Sequence, residues 1–153
     1  MKVVLIGAGN LATNLGKALF RAGHEIVQVY SRTEVSASAL ADVLHCSHTT
    51  NLKEVVKCAD VFIISVKDDV LASVASALQE GREGQLFVHT AGSMPMDLLP
   101  FERRGVFYPM QTFSKNKEVD FSVIPCFIEA KKEDDLQCLK TLALTISDTV
   151  YEL

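Results

Sequence analysis

The chain has 153 residues, with 15 Lys+Arg against 19 Asp+Glu and a formal charge of −4. That length suits one domain around a single core, and with 48% hydrophobic and 22% charged residues the apolar content offsets the entropy of ordering, which excludes a disordered chain. Mild acidity argues against a nucleic-acid or anionic-membrane partner, and no apolar run approaches the roughly 20 residues that span a bilayer.

The opening run Met1-Lys2-Val3-Val4-Leu5-Ile6 is too short for a signal peptide and leads into Gly7, so a soluble, cytoplasmic domain is expected. Val3–Ile6 reads as a strand buried on both faces. From Leu11 the apolar positions become Leu11, Leu15, Ala18, Leu19 and Ala22, a helical stripe that Gly23 stops. Glu25–Tyr30 reads as a second strand, and Thr33 as the cap of a helix with Val35, Ala39, Val43 and Leu44 as its apolar positions. Ser47–Thr49 predicts a short third strand, and Asn51 with Glu54 has the spacing of a capping pair for a brief helix carrying Leu52, Val55 and Val56.

Val61–Ser65 is a second buried strand, after which Asp68 and Asp69 favour a helix start ahead of Val70, Leu71, Val74 and Leu78. Leu86–His89 is the fifth strand, and Pro95 suits the first turn of a short helix running to about Arg103. Strands are expected at Val106–Met110, Ile124–Ile128 and Thr149–Leu153. A helix from about Lys132 to Ile146 carries Leu136, Leu139, Ala143 and Ile146, and the polar stretch Gln111–Ser122 reads as a surface loop. The alternation of strand and helix is that of an α/β domain with a mostly parallel, doubly wound sheet of about seven or eight strands and helices on both faces. The four cysteines are widely spaced and read as buried thiols. His45-Cys46-Ser47-His48 lacks the second ligand pair of a structural zinc site, so no metal is expected.

Gly7-Ala8-Gly9-Asn10-Leu11-Ala12 is the most informative segment, a G-x-G-x-x-A pattern between a buried strand and an amphipathic helix. Gly7 permits the tight turn, Gly9 lets backbone approach a pyrophosphate, and the first amides of the helix, near Asn10 and Leu11, face the anion. Where an NAD site normally carries an acidic residue after the second strand, this chain has Tyr30-Ser31-Arg32-Thr33, with no carboxylate before Glu34. A guanidinium at Arg32 flanked by the hydroxyls of Ser31 and Thr33 suits a 2′-phosphate, so NADP is favoured over NAD. Ser65-Val66-Lys67 follows the fourth strand at the expected switch point. Its backbone lines the ribose and nicotinamide side, and Lys67 either reaches phosphate or substrate or sits on a solvent-facing turn.

These stretches resemble the amino-terminal half of pyrroline-carboxylate reductases and deazaflavin-dependent NADP oxidoreductases. His89-Thr90-Ala91-Gly92-Ser93 and Gly105-Val106-Phe107-Tyr108-Pro109-Met110-Gln111-Thr112-Phe113-Ser114 are similar to a less characterised family of NADP oxidoreductases. The resemblance covers nearly the whole chain. It implies a Rossmann-like domain over residues 1–153, hydride transfer between NADP(H) and a small carbonyl, imine or second redox cofactor, and, in relatives, a following helical domain that completes the substrate pocket and builds a homodimer interface. This chain departs in carrying Tyr108 where relatives commonly have His, and in ending at Leu153 where relatives continue; on that ground it is expected to bind dinucleotide without turnover. His89 and Tyr108 are the candidate acids, His89 with the competing role of a histidine bonded to backbone beneath a loop and Tyr108 with a similar structural alternative. Ser93 has no evident base. The alternatives are a non-catalytic NADP-binding module that senses redox state or scaffolds a partner, and a flavin or mononucleotide binder using the same glycine turn.

Overall fold

A computed structural model describes residues 1–153. Eight strands form one sheet: β1 (Lys2–Ile6), β2 (Glu25–Tyr30), β3 (Ser47–Thr49), β4 (Val61–Ile64), β5 (Phe87–His89), β6 (Arg104–Pro109), β7 (Cys126–Ala130) and β8 (Val150–Glu152). Four helices intervene: α1 (Asn10–Arg21), α2 (Glu34–Leu44), α3 (Asp68–Ala77) and α4 (Glu133–Leu144). The strand order is β3-β2-β1-β4-β5-β6-β7-β8. All pairs from β3 to β6 are parallel. β7 runs antiparallel to β6, and β8 is parallel to β7. This is the doubly wound, mostly parallel sheet expected from the alternation, and its direction of winding reverses between β1 and β4.

The central strands read as unbroken apolar runs because both their faces are covered. Val3, Leu5, Ile63 and Val88 pack with Leu15 and Leu19 of α1, Leu40 and Leu44 of α2, and Leu139 and Leu142 of α4. The alternate residues Val4, Ile6, Phe62, Ile64 and Phe87 pack on the other face with Leu71 and Ala75 of α3 and with Leu99 and Phe101. Each side chain points opposite to its neighbour in sequence, so one strand feeds two cores. No helix is long and apolar enough to cross a membrane.

Five local expectations are corrected. α2 buries Ala37, Leu40, Ala41 and Leu44, whereas Val35 (81% exposed), Ala39 and Val43 face solvent. Both sets fit a helical period, and the close approach of α2 to α1 selects the stripe containing two alanines. After Pro95 the helix is a single 3-10 turn, Met96–Leu98, because Pro100 lacks the amide to continue it. Asn51 caps the turn Leu52–Glu54 by accepting from the Lys53 amide, but Glu54 turns instead to Thr49 Oγ1. The stretch Gln111–Ser122 is not wholly at the surface: Phe113 and Phe121 are buried and stacked, their ring centroids 5.5 Å apart. Of the cysteines only Cys126 is buried. Cys46 and Cys138 are half-buried and Cys58 is exposed, and desolvation pushes the Cys46 and Cys126 thiols up to about 11.

A buried arginine holds the far side of the α3 face. Arg82 is almost completely enclosed, and its guanidinium donates to the carbonyls of Leu52, Val55, Val56, Leu78 and Glu80. It thereby ties the end of α3 to the turn after β3, replacing with one cation the partners that these helix-end carbonyls lack.

Candidate functional site

Register brings the end residues of four strands level with one another and with the middle of β6. Tyr30 of β2 is level with Ile6 of β1, Ile6 with Ile64 of β4, Ile64 with His89 of β5, and His89 with Val106 of β6. The residues that follow, Gly7, Ser31, Ser65 and Thr90, therefore emerge side by side at the carboxyl edge of the sheet, which is where ligands bind in open α/β sheets, while β6 runs on past them to Pro109. Tertiary structure thus collects the glycine segment, Ser31–Thr33 and Ser65–Lys67 at one edge, although Gly9 and Lys67 are far apart in sequence.

Gly7 makes the turn. Its amide donates to the Tyr30 carbonyl at 2.7 Å, while the Ser65 amide donates to the Ile6 carbonyl at 2.8 Å, so Gly7 is wedged between the ends of β2 and β4. Its φ is +125°, and a Cβ would lie 2.9 Å from the Ser65 carbonyl carbon and closer still to its oxygen. Only glycine fits. Gly9 is different. It stands at the N-cap of α1 with φ −77° and ψ −166°, and a Cβ there would meet nothing within 4 Å. The open space lies directly before the helix, and the amides of Asn10, Leu11 and Ala12 have no protein acceptor; the first intrahelical bond is from the Thr13 amide to the Gly9 carbonyl.

The electrostatics of that helix end are distinctive. α1 has no acidic residue in its first turn, whereas α2 begins with Glu34, α3 with Asp68 and Asp69, and α4 with Glu133, Asp134 and Asp135. Every helix but α1 compensates its own positive end. Unpaired amides, an uncompensated dipole and a glycine with open space before it are the donor set of an anion site, and they fit a diphosphate.

Beyond β2, the Ser31 amide donates to the Thr49 carbonyl at 3.2 Å, and the buried Ser31 hydroxyl accepts from the Thr33 amide at 3.5 Å. Thr33 occupies the N-cap of α2, but its side chain makes no capping bond, so its hydroxyl is free. Arg32 is exposed and forms no ion pair or hydrogen bond through its guanidinium. Beyond β4, Ser65 and Val66 are half-buried, and Lys67 is exposed at the N-cap of α3.

The two proton-transfer candidates differ. His89 is fully buried. Its Nδ1 accepts from the Ala91 amide at 3.1 Å, and Nε2 lies 3.1 Å from the Pro95 carbonyl. Since an amide can only donate and a carbonyl only accept, the proton sits on Nε2 and the ring is neutral. Burial lowers its pKa below the ordinary 6.5, only partly opposed by the bond to Pro95 and the charges of Asp68 and Glu129. His89 therefore shapes the loop after β5 and presents no free nitrogen to a ligand. Tyr108 is half-buried, its ring laid against Gly92. Two residues that shape this edge carried no role in the sequence reading. Gly92 leaves no room for a Cβ beneath Tyr108, and Asn14 of α1 donates from Nδ2 to both the Asn10 carbonyl (2.8 Å) and the Ser114 carbonyl (2.9 Å), pinning the loop after β6 to the first turn of α1. In the sequence Asn14 is one of the polar residues between the apolar positions of α1, and nothing there marks it as buried.

The chain is similar to several solved structures. A proposed NADP oxidoreductase from Bacteroides fragilis is 54% identical, with a TM-score of 0.95, over 99% of this chain and 60% of that one. A pyrroline-5-carboxylate reductase from Coxiella burnetii is 17% identical, with a TM-score of 0.80, over 99% of this chain and 58% of that one. Prephenate dehydrogenase of A. aeolicus, solved with hydroxyphenyl propionate and NAD+, is 17% identical with a TM-score of 0.84, over 100% of this chain and 59% of that one. The latter two establish the fold alone, and the chain spans about three fifths of the length of each of the three proteins. Comparison with the curated proteins gives no match. The family model described as NADP oxidoreductase, coenzyme F420-dependent, matches residues 2–92, from β1 through the glycine under Tyr108. The chain, a Rossmann-like nucleotide-binding domain of oxidoreductase type, belongs to that family.

Proposed function

We propose that the chain binds NADP(H) across the carboxyl edge of the sheet as the cofactor-holding part of an enzyme that transfers hydride to or from a small carbonyl, an imine or a second redox cofactor. The observation that carries this reading is the open space before α1, bordered by three unpaired amides and lacking any acidic side chain in the first turn. Gly7 holds the turn, Gly9 admits the diphosphate, and the amides of Asn10 and Leu11 donate to it. Arg32, with the hydroxyls of Ser31 and Thr33, takes the 2′-phosphate. Its freedom from any ion pair supports this assignment, because no competing carboxylate has to be displaced. The backbone of Ser65 and Val66 lines the other nucleoside, with Lys67 at the rim.

When bound, the cofactor supplies the hydride chemistry; the protein supplies orientation and exclusion of water. The buried faces of β4 and β5 and the loop held by His89 give that half of the site a rigid floor. The further length of the longer relatives would complete the substrate pocket and the dimer interface. Calorimetric titration with NADPH and NADH in parallel tests the reading: tight binding of NADPH with weaker binding of NADH is expected. Equal affinities would remove the 2′-phosphate assignment, and absence of heat with both would remove the cofactor.

A further inference from the structure

We propose that Tyr108, seated on Gly92, contacts the nicotinamide half of the cofactor. The inference rests on the dinucleotide reading above and deepens it by naming a residue on the redox side. A dinucleotide with its diphosphate at α1 extends one nucleoside over β2 and the other over β4 and the strands beyond it. Arg32 lies on the first path. On the second, β6 runs parallel to β5, with Val106 level with His89, so Tyr108, two residues further along, stands beyond the end of β5 at the ligand-facing edge.

Three observations fix the ring there. A Cβ on Gly92 would come within 2.5 to 2.8 Å of three Tyr108 ring atoms, so the ring rests on bare backbone. Tyr108 pairs in register with Phe127 of β7, whose ring centroid is 6.4 Å away, and Phe127 in turn stacks on Tyr151 at 5.2 Å. The ring is thus backed on the side away from β5. The loop carrying Gly92 is itself held from both ends, by His89 through the Ala91 amide and the Pro95 carbonyl, and by the Thr90 amide donating to the Ile64 carbonyl at 3.2 Å. A ring fixed in this way forfeits little entropy when a planar ligand stacks on it. The Tyr108 hydroxyl is bonded to no protein group yet is not enclosed, so it opens to solvent at the same edge. The other ring at that edge, His89, is buried and has both nitrogens engaged.

The test compares two probes on the intact chain by calorimetry: NADP+, and 2′-phosphoadenosine diphosphoribose, which carries the diphosphate and 2′-phosphate but no nicotinamide. Tyr108→Ala is expected to weaken NADP+ about tenfold, the magnitude of one aromatic stacking contact, and to leave the second probe unchanged. Gly92→Ala, whose backbone is outside the left-handed region, displaces the ring without removing it and should weaken NADP+ selectively in the same direction. Tyr108→Phe keeps the ring and should retain the preference for NADP+. Equal loss for both probes, or no loss for either in both Tyr108→Ala and Gly92→Ala, overturns the nicotinamide contact while leaving the cofactor reading intact. Failure of the unaltered chain to bind either probe overturns the cofactor reading itself.

Discussion

Gly7 and Gly9 stand two residues apart in one motif, yet the structure predicts opposite consequences for the same substitution. At Gly7 an added Cβ meets two penalties. The backbone has φ +125°, a conformation nearly restricted to glycine, at a cost of about 1–3 kcal/mol. The methyl also collides with the Ser65 carbonyl, a backbone group held in the sheet by the bond from the Ser65 amide to Ile6, and a forced shift of that kind costs about 1–3 kcal/mol more. For a domain of this size about 2–6 kcal/mol lowers the melting temperature by roughly 5–20 °C. At Gly9 the methyl meets nothing and φ is −77°, so Gly9→Ala should hold the melting temperature or raise it slightly, by up to about 1 kcal/mol of stability from the unfolded state. It occupies the space assigned to the diphosphate, however, and the loss of one charge-assisted bond weakens NADPH by about 10- to 100-fold. Scanning calorimetry and NADPH titration of both variants measure the two effects. Gly7→Ala melting like the parent chain, or Gly9→Ala binding NADPH like the parent chain, would refute the division of labour within the motif.

Arg32→Ala should weaken NADPH by about 10- to 100-fold and leave NADH within about twofold, since only the 2′-phosphate loses a charged partner; parallel titrations measure both. His89, whose folded pKa is lowered, should make the protein less stable in acid. Above about pH 6.5 its contribution is complete, and as pH falls below that value the unfolded chain takes up the proton first, so stability declines with a slope of at most about 1.4 kcal/mol per pH unit for this group. His24, lowered by burial and by the terminal amine, acts in the same sense, so in urea melts at a series of pH values His89→Asn should flatten the slope without abolishing it. Arg82→Met should lower stability by about 3 kcal/mol or more, because five carbonyls lose their donor in a dry site, whereas an exposed pair such as Arg21–Glu118 can be broken by Arg21→Ala at under about 1 kcal/mol; denaturant melts separate the two.

The sequence by itself determined the fold class and the glycine turn ahead of α1, since both depend on local properties. Apolar runs such as Val61–Ile64 ending at turn residues mark strands covered on both faces, and a glycine segment between such a strand and an amphipathic helix leaves few other conformations to the backbone. The absence of a carboxylate after Tyr30 was equally legible, because the spacing from the glycines fixes the position. Only the tertiary structure decided which of two helical stripes α2 buries, that Phe113 and Phe121 leave a polar loop for the core, and that His89 points inward with both nitrogens spent while Tyr108 lies on Gly92. Some of these outcomes rest on contacts between segments far apart in the chain, such as Asn14 with Ser114, and others, such as the bonds of His89 to Ala91 and Pro95, on how a loop folds back on its own strand. Periodicity assigns a residue to a face of its own element, but only the packing of one element on another decides what that face will meet.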